Sequence, residues 1–154
     1  MGALAFTGRL LFALLFLGSG IQKLQTLDFK SGGPVLDVLS PKLDELFANV
    51  HSSTGYAVPV HKDHHLYFLI VGVVLEIVGA LLFVANWNIG AWALILYTSA
   101  ITPAVHDFWN SKDDAVKGLE IIMFFKNVAL IGALLFYLGS YKRPAREYSS
   151  YKLD

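Results

Sequence analysis

The chain has 154 residues, 55% of them hydrophobic, and a mean hydropathy of +0.55, which together predict a single membrane domain. Its formal net charge is zero, so it carries no electrostatic footprint for nucleic acid. The absence of cysteine excludes disulfides, thiol catalysis and iron–sulfur ligation.

The first apolar run predicts a transmembrane helix over residues 4–24. Arg9 followed by LLFALLFLGSG resembles a leader peptide, but the run is read as a retained signal anchor or first span. Gly18, Ser19 and Gly20 would let another backbone approach closely. Lys23 reads as a snorkelling residue at the interface. Arg9 either snorkels as well or faces an acid inside the bundle.

A polar connection follows over residues 25–63, too long for a plain loop. Ser31-Gly32-Gly33-Pro34 marks a turn. Beyond it, Leu39, Leu43, Leu46, Phe47 and Val50 recur at helical spacing. With Ser40 as cap and Pro41 in the first turn, they predict a short amphipathic helix over 41–50, lying on the membrane or on a partner. His61, His64 and His65 have a spacing that suits metal ligation. No cysteine or carboxylate cluster completes such a set, so they are read as interface markers and no metal site is assigned.

The second span is predicted over 66–85. Residues 66–84 cover roughly 28 Å at about 1.5 Å per residue, close to a bilayer core. Glu76 is the one charge within them. A charge at that depth is expensive and needs a partner inside the protein. Asn86-Trp87-Asn88 predicts a tight turn, with Trp87 at the interface. The third span is predicted over 89–108, kinked at Thr102-Pro103, and the fourth over 119–141, with Lys126 and Asn127 inside it. The tail beyond carries Lys142, Arg143 and Arg146 beside Pro144. The expected fold is therefore an all-α integral membrane bundle of four transmembrane helices, with a short amphipathic helix in the first loop.

Position along the helices sorts the membrane charges into two groups. Glu76 is expected to pair with Arg9 or Lys126. Lys23, His106 and Asp107 are expected to converge at the opposite surface, with Lys126 one or two turns deeper and Asp107 accepting from Lys23 or Lys126. Balanced acids and bases favour structural pairing in a closed cluster. The alternative is a quinone site, with an apolar cleft beside His106 walled by Phe108, Trp109 and Phe125. No catalytic residue is assigned.

Gly8-Arg9-Leu10-Leu11-Phe12-Ala13-Leu14-Leu15-Phe16 and Gly20-Ile21-Gln22-Lys23-Leu24 resemble the first helix of the DoxX-like membrane family. Glu76 with Gly79 fits the same pattern, as does the stretch from Phe125-Lys126-Asn127 to Leu135. Gly32-Gly33-Pro34, Pro41-Lys42-Leu43, Thr102-Pro103 and Asp107-Phe108 are closer to its plant-type HR-like lesion-inducing branch. The resemblance implies a four-helix membrane protein. Some DoxX members are small subunits of quinone-linked oxidoreductases, and related bundles act in cargo export from the endoplasmic reticulum. The expectation is a non-catalytic accessory subunit of a larger complex, in the mitochondrial inner membrane. The alternatives are a quinone-interacting subunit and an endoplasmic-reticulum transporter or cargo receptor. Membrane lipid and other membrane subunits are the expected partners. No cofactor is required, a quinone or a bound lipid being the ligands such a bundle would take.

Overall fold

A computed structural model describes residues 2–141. The basic cluster of Lys142, Arg143 and Arg146 lies outside the described residues. Five α-helices follow one another: α1 (Ala3–Thr26), α2 (Gly33–Thr54), α3 (His65–Val84), α4 (Asn88–Val105) and α5 (Asp114–Tyr141), with a 3₁₀ turn at Lys62–His64 before α3. Among the described residues, α1, α3, α4 and α5 are long and apolar enough to cross a membrane. With no water in a bilayer core, each such run satisfies its own backbone groups only as a helix.

Two helices start earlier than the apolar pattern alone predicts, and each has a local cause. The amphipathic helix, expected over 41–50, is a 22-residue helix beginning at Gly33. Gly32 and Gly33 hold positive φ values of 82° and 66°, a conformation that glycine adopts without strain. Pro34 then takes the early helical position where its missing N–H costs nothing. Pro41 lies inside the helix on its exposed side. Ser40, expected to cap, instead hydrogen-bonds His65 Nδ1 at 2.7 Å. The last helix starts at Asp114 rather than 119 because Asp113 Oδ1 accepts from the backbone N–H groups of Ala115 and Val116, at 2.8 and 3.1 Å. The third span stops at Val105, short of the expected 108. His106 leaves helical geometry three residues after Pro103.

The core has two centres. At one end, Ala13 and Phe16 of α1 pack with Ala80 and Phe83 of α3, Ala91 and Leu94 of α4, and Leu134 of α5. At the other end, Leu39 and Leu43 of α2 pack with Leu69 and Val73 of α3 and Ala104 of α4. The apolar face of α2 thus packs against the chain's own bundle. His65 is buried beneath it, with Asp44 of α2 3.8 Å from its Nε2, while His61 and His64 stay exposed.

Alternation of the four spans brings their ends together in two sets. Arg9 Nε donates to the Val84 carbonyl at 3.4 Å, and the Tyr137 hydroxyl donates to Asn86 Oδ1 at 3.0 Å. The start of α1, the α3–α4 turn and the C-terminal part of α5 therefore share one end. The opposite end holds α2, His106, Asp107 and the start of α5.

Candidate functional site

The site grows from the contact between α1 and α3. A Cβ added to Gly20 would lie 2.6 Å from Ile77 Cγ1, so only glycine lets the two helices run this close. That approach sets Lys23, less than one turn further along α1, beside Glu76. The Lys23 ammonium donates to Glu76 Oε2, Ser19 Oγ and Tyr97 Oη, each at 2.8 Å. All three of its donors are used. Glu76 is 2% exposed, so it faces protein as expected, but its cation is neither Arg9 nor Lys126.

Arg9 is buried at the other end of α1, and its guanidinium meets the carbonyl of Val84 at the C-terminus of α3. A cation there opposes the negative end of the helix dipole. Lys126 remains on the exposed side of α5, with Met123 Sδ at 3.3 Å and no carboxylate partner among the described residues. Distance along the helices misplaced the pair because the lysine stem reaches inward from the end of α1, and because Gly20 draws α1 against α3.

The expected surface cluster is divided among other partners. Asp107 accepts from Lys42 of α2 at 2.6 Å, and Lys42 also donates to the Val105 carbonyl at 3.1 Å. Asp107 does not meet Lys23 or Lys126. Partial burial pushes its carboxyl up, but the hydrogen bonds from Lys42 and Asn110 outweigh that and hold it below the usual carboxylate range. His106 Nδ1 hydrogen-bonds Glu120 Oε2 of α5 at 2.7 Å. Asn127 Nδ2 donates to Thr102 Oγ1 at 3.0 Å, and that hydroxyl donates to the Thr98 carbonyl at 2.5 Å.

The cluster is not closed. A cavity of about 310 Å³ lies among α1, α3, α4 and α5. Ser19, Lys23, Glu76, Tyr97, Thr98, His106, Lys126 and Asn127 supply its polar wall. Leu15, Phe16, Ile101, Val105 and Leu130 supply the apolar wall. A cleft therefore opens beside His106, but not with the aromatic walls predicted for it. Trp109 packs edge-on against Phe108 and Phe124, and Phe125 points outward.

Sequence reasoning missed Tyr97, Lys42 and Glu120. Glu120 was legible: Asp113 and Asp114 signal a helix start that brings it inside α5. Lys42 was not, since nothing in the residue pattern of α2 says which surface it covers.

The fold and its intramembrane ion pair define a four-helix integral membrane protein with an internal polar cavity. The family model described as HR-like lesion-inducing matches residues 1–140, and the chain belongs to that family. No curated protein and no solved structure matches it.

Proposed function

We propose that this protein is a non-catalytic accessory subunit of a larger membrane complex, a DoxX-like module of the mitochondrial inner membrane within the respiratory chain. The outward face of α5 carries the reading. This helix packs along α4 and leaves Leu119, Ile122, Phe125 and Phe136 exposed. Between them, Gly132 and Ala133 are exposed small residues, and nothing lies within 4 Å of where a Gly132 Cβ would sit. Small residues flanked by large apolar ones allow a second transmembrane helix to approach closely. The amphipathic α2 is engaged with its own bundle, so docking falls to α5. The charges paired inside the membrane answer each other, which is what a scaffold needs to hold helix register.

The test is photo-crosslinking from position 132, with purification from native membranes in mild detergent. A stoichiometric set of respiratory subunits crosslinked through α5 is the expected result. Recovery of the chain alone, with crosslinks to lipid only, would overturn the proposal.

The cleft beside His106 favours a second reading, a quinone-interacting small subunit of an oxidoreductase. A His106→Ala variant separates the two. Intact assembly with quinone-linked turnover lost supports the second. Lost assembly, with turnover per assembled complex unchanged, supports the first.

A further inference from the structure

The cavity among α1, α3, α4 and α5 combines three features. Its basic side chains are unequally answered: Lys23 is held by Glu76 and His106 by Glu120, whereas Lys126, on the same wall, has no carboxylate partner among the described residues. A lysine within a span is costly unless something anionic meets it. The Thr98 hydroxyl also lines the cavity, 2% exposed, with its Oγ1 receiving no hydrogen bond from protein. A buried hydroxyl that its own protein leaves unpaired is expensive, and this one is a donor available to an occupant. Leu15, Phe16, Ile101, Val105 and Leu130 add an apolar wall, and at about 310 Å³ the space sits at the small end of the range for ligand pockets, roughly 300–1,000 Å³.

We propose that this cavity binds a single-chain anionic amphiphile, its oxyanion head on Lys126 with a hydrogen bond from Thr98, and its first methylenes against Leu15, Ile101 and Leu130. The head-group chemistry is shared by a carboxylate and a phosphate. A neutral head leaves Lys126 unanswered. Thr98, Ile101 and Leu130 line the cavity within the bundle, and Lys126 reaches it from the exposed side of α5; the site does not depend on the protein being an accessory subunit.

The experiment uses the full chain in phosphatidylcholine nanodiscs. Native mass spectrometry after titration with oleate, oleoyl lysophosphatidate or oleyl alcohol counts the bound molecules. One saturable oleate or lysophosphatidate per chain is expected, with oleyl alcohol at least tenfold weaker. Oleate retained alone identifies a carboxylate ligand, lysophosphatidate alone a phosphate ligand, and both the shared chemistry. Lys126→Gln, on the exposed side of α5, should weaken binding at least tenfold while leaving the thermal transition in place. Thr98→Val should weaken it severalfold, and Leu130→Trp should exclude the ligand by filling its space. Equal retention of oleyl alcohol, undiminished binding to Lys126→Gln, or no saturable ligand at all would overturn the assignment.

Discussion

Lys23 of α1 holds Glu76 of α3 at 2.8 Å, across 53 positions of chain, with the acid fully enclosed and the base reaching in from the end of its helix. Removing one partner leaves the other buried and unanswered. Lys23→Met is expected to cost roughly 3–5 kcal/mol, and Glu76→Gln less, because its amide still accepts a hydrogen bond. The double variant Lys23→Met, Glu76→Gln should be more stable than Lys23→Met alone. Thermal unfolding of the four proteins in detergent completes the cycle, and additive losses would show that the two residues do not interact.

Gly20 is the spacer that makes this pair reachable. Gly20→Val should force α1 away from Ile77, at about 1–3 kcal/mol for overpacking. The loss should couple to the ion pair, so that the valine costs less in the Glu76→Gln background. Equal losses in both backgrounds would mean that helix spacing and pairing are independent.

The Lys42–Asp107 pair ties α2 to the end of α4. Lys42 is 29% exposed and Asp107 13%, so Lys42→Met should cost only about 1 kcal/mol. The carboxyl titrates below its unfolded value of about 3.9. Its stabilisation is therefore fully present above that pH and is lost as pH falls through the lower, folded value. Hydrogen exchange of α2 should rise over that acid range in the parent and not in Asp107→Asn.

Asp113 caps α5 through two backbone N–H groups. Asp113→Ala should remove about 1 kcal/mol and fray the first turn. Hydrogen exchange of the Ala115 and Val116 amides should rise, and unchanged exchange would show that the start of α5 is held by something other than Asp113.

Much of the fold was legible because membrane spans obey one dominant constraint. Apolar length alone located α1 and α3 almost to the residue. The starts that slipped belong to the two helices with polar starts, where Gly32-Gly33-Pro34 and Asp113-Asp114 outweigh hydropathy, and the end of α4 slipped beyond Pro103. The site was legible as a set of residues and not as a set of pairs. Glu76 announced itself by its cost, but its partner depends on how far a lysine stem reaches and on which helices touch. Both are set by Gly20 and by packing, which a linear depth estimate does not contain. Asp107 went to Lys42 for a similar reason: α2 reads as a docking helix until its apolar face is seen covering Leu69, Val73 and Ala104.

The placement of Lys23 near a helix end and of Glu76 deep within one also bears on biogenesis. When α1 leaves the ribosome, its lysine can rest at the head groups with its stem in the bilayer, and waits there at little cost. Glu76 has no such refuge, since α3 carries it far from either surface. The cost of the acid is therefore met only once α1 lies beside α3, and a chain that has lost its first span is left with this charge unanswered inside the bilayer.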